Sequence, residues 1–409
     1  MSQLSLRLQS LSPSATFAMS AKSAELKAAG VDVINMSVGE PDFNTPDYIK
    51  DAAKAAIDGN VTRYSPVPGY PDLRKAICNK LLRENGLTYE PAEIVVSNGA
   101  KQAITDAVMA LVNPGDEVII PAPCWVSYIQ MARIAGGVPV PIEAPIEQDF
   151  KVTPEQLEAA ITPKSKLIIL CSPSNPTGSI YSAEELEALA RVVLRHDSLF
   201  VLSDEIYEHL NYVGRHASIA AVDGMRDRTV VVNGVSKAYA MTGWRIGFTA
   251  APLWLSKGIN MLQGHYSSGP CSVSQMAALA AWSQDWVDAP ATGPATGNAS
   301  APASAAAGNP AAGPESGQRT VEAMRQAFQR RRDLIVRLAR EIPGLEVNVP
   351  QGAFYLFPKC SAYFGKTVAE SGRCVSEGCK CPDRSGTPLP TGGGAQACLG
   401  GVPGRALRT

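Results

Sequence analysis

Between residues 45 and 285, short runs rich in Val and Ile alternate with longer stretches whose apolar positions recur at helical spacing. The runs "EIVVSN" (93–98), "DEVIIPA" (116–122), "KLIILCS" (166–172), "LFVLSDE" (199–205) and "TVVVNG" (229–234) are nearly continuous in apolar residues. Strands covered on both faces read this way. Helix signals lie between them. "TPEQLEAAI" spaces Thr153 and Gln156 as a capping box, and "SAEELEALARVV" does the same with Ser182 and Glu185. The alternation predicts an α/β fold, a mostly parallel, doubly wound sheet whose ligand binds beyond the carboxyl ends of the strands.

The residues at those ends carry the chemistry. The first run ends in Asn98 and continues into Gly99, Ala100 and Lys101, the second leads to Trp125, the third to Asn175. The fourth leads to Asp204 and Tyr207, and the fifth to Ser236 and Lys237. Five strand ends therefore converge on one expected site.

The rest of the chain is less regular. Residues 1–44 and 319–373 are expected to form a smaller α/β domain beside a large one at 45–287, with "VEAMRQAFQRRRDLIVRLAREI" as one long helix and "GLEVNVPQGAFYLFP" as two strands about a turn. Residues 288–318 are Ala, Pro, Gly and Ser with almost nothing to build a core, and are expected to be a disordered insertion. No internal repeat is apparent.

Composition narrows the function. With 45% hydrophobic residues in 409, the chain can bury a sizeable core. Its 37 basic and 38 acidic residues are dispersed, which argues against a nucleic-acid or anionic-lipid partner. Neither a signal-peptide core nor the roughly 18 unbroken apolar residues of a membrane helix is found, so a soluble, cytoplasmic protein without membrane association is expected. Nine cysteines do not suit a disulfide framework in a chain this long; Cys78, Cys124, Cys171 and Cys271 sit in apolar or motif stretches, as reduced thiols do.

Lys237 lies in "GVSKAYAMTGWRIG" among small and apolar residues. A partly buried lysine loses its proton more easily and can form a Schiff base with a carbonyl. Arg245, eight positions on, has a planar fork suited to bidentate phosphate binding, and its flanking glycines allow close backbone approach. Ser236 offers a hydroxyl, and the helix opening after Gly99 offers N–H groups at its positive end. A phosphate site beside a lysine is what pyridoxal 5′-phosphate requires. Asp204 suits the cofactor's pyridinium nitrogen, Tyr207 and Asn175 its phenolic oxygen, and Trp125 its ring face. Singly, each has a plainer reading: an Asp capping a helix, a core Tyr, a Trp in a pocket wall. Their joint placement outweighs these.

"SKAYAMTGWRIG" resembles the cofactor-lysine motif of the fold type I, class I pyridoxal-phosphate aminotransferases, and "SPSNPTG", "SDEIYEHL", "GEPDFNTP" and "RYSPVPGYPDLR" resemble its other signatures. The likeness is greatest to prokaryotic-type aspartate aminotransferases and runs to about Lys366. It implies that Lys237 carries the cofactor and then acts as general acid and base, and that Arg245, Ser236, Gly99, Ala100 and Lys101 hold the phosphate. It further implies that Tyr64 reaches the phosphate of a neighbouring subunit in a homodimer with shared sites, that Gly39, Trp125 and Asn175 line the substrate carboxylate pocket, and that Lys101 meets a distal carboxylate. The expected reaction moves the amino group of aspartate to 2-oxoglutarate, both small amino-acid or 2-oxo-acid substrates. The alternatives are a broader range including aromatic amino acids or prephenate, a lyase on the same fold, and an impaired relative.

The end of the chain departs from that pattern. Residues 374–409 have neither helical nor strand periodicity and no arginine matching the family's carboxylate-binding motif. The expectation is an out-of-frame reading that leaves the small domain incomplete, with weak cofactor binding and poor transamination if the chain truly ends so. The cysteines at 374, 379, 381 and 398 lack paired C-x-x-C spacing and a nearby histidine, so no metal site is expected.

Overall fold

The computed structural model describes residues 3–12, 15–36, 38–283, 317–363 and 397–398. The insertion expected at 288–318 and the tail at 374–409 lie outside these, apart from 317–318 and 397–398. The strands β1 Ile94–Ser97, β2 Glu117–Ala122, β3 Val138–Glu143, β4 Ser165–Cys171, β5 Phe200–Asp204, β6 Thr229–Gly234 and β7 Gly247–Ala250 form one seven-stranded sheet, ordered β1-β7-β6-β5-β4-β2-β3. All run parallel except β7, which is antiparallel to both β1 and β6. Strand β3 reads VPVPIE; prolines cannot donate to a ladder, and the strand takes the open edge beside β2.

The helices are α1 Leu6–Gln9, α2 Ala15–Ala28, α3 Asp47–Asp58, α4 Pro71–Lys80, α5 Ala100–Leu111, α6 Val126–Ile134, α7 Pro154–Ala160, α8 Ala183–Val193, α9 Leu253–Tyr266, α10 Ser272–Trp282 and α11 Gly317–Arg340. Both predicted capping boxes form, Thr153 with Gln156 at α7 and Ser182 with Glu185 at α8.

Successive strand residues point to opposite faces, so a run apolar at every position must be covered twice. Val118, Ile120, Leu167, Ile169, Leu202, Val230 and Val232 pack with α5, α6 and α9. Their neighbours Ile119, Ile168, Leu170 and Val201 pack with α7 and α8, and Val231 and Phe248 with α3, α4 and α10. This double cover leaves the strand ends as the accessible edge of the sheet.

The segment "GLEVNVPQGAFYLFP" does not form the two-stranded turn the sequence suggests. Glu346 and Lys359 make only an isolated bridge, while the loop between them is hydrogen-bonded elsewhere. Gln351 and Gly352 N–H donate to Gly178 O, both at 2.8 Å, and Ala353 N–H donates to Leu210 O at 2.8 Å. Arg332 of α11 donates to Pro350 O. The short strand β8 Tyr355–Leu356 then pairs antiparallel with β9 Ala397–Cys398, a strand in a stretch whose sequence shows no strand periodicity. The loop is thus fastened over the ends of β4 and β5.

Phe248 is fully buried in β7, its ring edge-on to Trp282 at 5.4 Å. Phe248→Ala leaves a cavity between the sheet and α10, and is expected to cost about 3–5 kcal/mol in reversible urea unfolding.

Candidate active site

Lys237 stands three residues beyond the end of β6, in a turn, half-buried. Its Nζ donates to Gly39 O at 2.5 Å and lies 5.8 Å from the Tyr207 ring centroid and 5.5 Å from that of Phe354. Gly39 has no room for a side chain, because a Cβ there would collide with the Tyr355 hydroxyl.

Asp204 ends β5 and is 3% exposed. Its Oδ2 accepts from the Tyr128 hydroxyl at 2.6 Å and its Oδ1 from Ile206 N–H at 3.2 Å. Burial pushes the carboxyl up to about 6; the two hydrogen bonds and the charge of Lys237 pull against that, and Glu205 adds to it.

Tyr207 lies in a turn, not on a helix running from Asp204. Residues 206–209 form a turn, in which Glu208 N–H donates to Glu205 O and Leu210 N–H to Tyr207 O. The turn is fastened from behind by a buried network. The Lys80 ammonium binds Glu208 Oε1, and Asn85 Nδ2 donates to Glu208 Oε2 at 2.7 Å. Burial alone would raise the Glu208 carboxyl, but Lys80, His209 and His216 overrule it and hold it below the usual carboxylate range. Ligand atoms of Glu205, Glu208 and His216 lie within 4.8 Å of one another; Lys80, on Glu208, already supplies a cation to that cluster.

The hydroxyls of Tyr207 and Tyr355 share a hydrogen bond at 2.5 Å, and Asn175 Nδ2 donates to Tyr355 Oη at 3.3 Å. The sequence reading missed Tyr355, which the clamped loop brings in from 148 residues beyond Tyr207.

A second arc faces solvent. Gly99, at φ 79°, opens α5, and a Cβ there would meet Arg245 Nη2 at 2.5 Å. Only glycine allows this approach. Arg245, exposed, donates to Asn98 O and Thr242 O, both at 3.1 Å. Lys101 Nζ lies 4.9 Å from the Trp125 ring centroid, and loss of water together with Arg245 lowers its pKa. Trp125 meets Tyr128 edge-on at 5.4 Å, which closes the path back to Asp204. Tyr128, also missed, stands three residues after Trp125 on α6, a spacing that could have flagged it. Ser236, beside Lys237, is 6% exposed. Tyr64 is 99% exposed and apart from this group.

These residues suit a flat, phosphorylated, cationic-ring cofactor. One end has a guanidinium and a helix N-terminus with glycines at the two closest approaches, Gly99 and Gly247. The other end has a desolvated carboxylate that a ring N–H⁺ would satisfy, and a lysine lies between.

The aminotransferase class I and II profile matches residues 31–383. The chain belongs to that family, whose members work through pyridoxal 5′-phosphate. It is 48% identical over 358 residues to an aspartate aminotransferase of Geobacillus stearothermophilus, covering 87% of this chain and 83% of the relative. An aspartate/prephenate aminotransferase of Cereibacter sphaeroides is 46% identical over 379 residues, 92% of this chain and 87% of its own. Among solved structures, the aspartate aminotransferase of Thermus thermophilus with maleate matches at TM-score 0.83 and 37% identity, covering 98% of this chain and 96% of the other. The mostly parallel sheet expected from the sequence is the fold of these enzymes. Among the described residues no helix is long and apolar enough to cross a membrane, and Cys78, Cys124, Cys171 and Cys271 form no disulfide.

The raised carboxyl of Asp204 has a consequence for the cofactor-free protein. A group whose pKa rises from 3.8 to about 6 on folding favours the folded state when protonated, and that contribution is lost as pH rises through this window. Asp204→Asn abolishes the loss. The stability of the variant relative to wild type is expected to increase by up to about 3 kcal/mol between pH 4 and pH 7 in denaturant titrations.

Proposed function

We propose that the protein transfers the amino group of L-aspartate to 2-oxoglutarate, giving oxaloacetate and L-glutamate. The observation that carries the reading is a half-buried lysine after β6, a buried carboxylate at the end of β5 and a guanidinium at the N-terminus of α5, all at one edge of the sheet. Pyridoxal 5′-phosphate, when bound, supplies an electron-withdrawing ring that stabilises negative charge developing at the substrate α-carbon.

Lys237 would hold the cofactor, and its amine would take and return the proton at the substrate α-carbon as general base and then general acid. Half-burial and the Gly39 carbonyl keep its Nζ aimed into the pocket. Asp204 would hold the ring nitrogen protonated, Tyr207 and Asn175 would hydrogen-bond the phenolic oxygen, and Trp125 would cover a ring face. Arg245, Ser236, Gly99 and the amides of Ala100 and Lys101 hold the phosphate. Gly39, Trp125 and Asn175 line the pocket for the substrate α-carboxylate, and the Lys101 ammonium meets the distal one. The Thermus relative, solved with maleate, a dicarboxylate, supports a site for two carboxylates.

Tyr64, fully exposed here, serves the phosphate of a second subunit, so the working form is a homodimer with shared sites. Residues 45–287 make the large domain and 1–44 with 319–373 the small one, in a cytoplasmic enzyme. A second reading, acceptance of prephenate, is favoured by the aspartate/prephenate relative at 46% identity.

Half-reactions followed by cofactor absorbance decide between these. Aspartate and glutamate are expected to shift the band, Lys237→Ala to abolish the shift, and prephenate to return it if the wider range holds. No shift with either amino acid would sink the aspartate reading.

A further inference from the structure

Among the described residues, the Asp204 carboxylate accepts hydrogen bonds from one backbone amide and one side chain. Ile206 N–H reaches Oδ1, and the Tyr128 hydroxyl reaches Oδ2 at 2.6 Å, with Tyr128 itself 1% exposed. Tyr128 comes from α6, one turn after Trp125, and its ring stands at 87° to the Trp125 ring. One side chain therefore contacts both the ring proposed to cover the cofactor and the carboxylate proposed to face its nitrogen. Burial and Asp204 push the Tyr128 phenol far above its usual pKa, so it is neutral and acts as donor.

We propose that Tyr128 is a positioning residue for the cofactor: its hydroxyl orients the Asp204 carboxylate and keeps it ionised for the ring nitrogen, while its ring sets the tilt of Trp125. The other groups facing Asp204 cannot take over this role. Cys171 on β4, the strand neighbour of Asp204, is a thiol that burial keeps protonated, and it turns its S–H to Pro173 O at 3.4 Å. Glu205, next in the chain, repels the carboxylate; Lys237 attracts it, but its Nζ donates to Gly39 O. Loss of the Tyr128 hydroxyl leaves Oδ2 buried without its donor.

The consequence for the ring nitrogen rests on the cofactor reading above, but the carboxyl itself is tested without cofactor. In the cofactor-free protein with isotope-labelled aspartate, the Asp204 carboxyl is followed by NMR across pH. Tyr128→Phe is expected to raise its midpoint by about one unit from about 6. A ring-fluorinated tyrosine at position 128, a stronger donor, is expected to lower it, a change of sign that a merely structural role would not produce. Tyr181→Phe is the control: Tyr181 is buried nearby and its hydroxyl accepts from Val152 N–H, without an assigned contact to Asp204, so the midpoint should stay. Fluorescence titration with pyridoxal 5′-phosphate at about pH 5, below both midpoints, should show affinity approaching tenfold weaker in Tyr128→Phe, because about tenfold less of the Asp204 carboxyl is ionised there. An unchanged or lowered midpoint in Tyr128→Phe, or no opposite shift with the fluorinated ring, overturns the inference. Wild-type protein that takes up no pyridoxal 5′-phosphate would sink the cofactor reading instead, and the carboxyl titration would still decide the role of Tyr128.

Discussion

The site turns on one buried charge. Asp204 closes β5 at the carboxyl edge of the sheet, where packing on both faces removes water, and a carboxylate there is costly unless its oxygens are met. Tyr128 and the Ile206 amide meet both oxygens, yet burial still raises the group to about 6. Its demand for a cationic partner is left over for a ligand. A protonated pyridine ring would answer that demand, which is the role we propose for Asp204 toward the cofactor.

The surroundings hold this charge and its neighbours in register. Behind the turn that carries Tyr207, the Lys80–Glu208 pair is buried at both ends, with Asn85 on the other Glu208 oxygen. Breaking such a pair by removing one partner costs about 3–5 kcal/mol because the remaining charge stays buried. In front, the loop 350–353 is fastened to Gly178 and Leu210 and carries Phe354 and Tyr355 into the pocket. The Phe354 ring packs on Phe328 of α11 at 5.1 Å, so the long helix braces the wall that Lys237 faces.

Much of this was legible in the chain because each central strand is nearly continuous in apolar residues, a pattern that double cover explains. The capping boxes of α7 and α8 were legible because two side chains at fixed spacing satisfy the first turn. Strand β3 was not, since alternating prolines mask a strand that needs only one partner, and β7 was not, being four small or aromatic residues that start at the last glycine of the lysine motif. Within the site, residues at strand ends could be placed from local sequence. Tyr355 could not, because its position follows from backbone hydrogen bonds to loops far away in the chain, and Tyr128 was passed over for the more conspicuous Trp125. Tyr64 carries a motif resemblance, and a fully exposed position in one chain is compatible with its use by a second.

The central claim is that Lys237 is the side chain the pocket presents to its cofactor. Borohydride reduction of the protein incubated with pyridoxal 5′-phosphate, followed by peptide mapping, tests it most directly. The account predicts one phosphopyridoxyl group per chain, on Lys237. A label on Lys101 or on scattered surface lysines, with Lys237 unmodified, would contradict it.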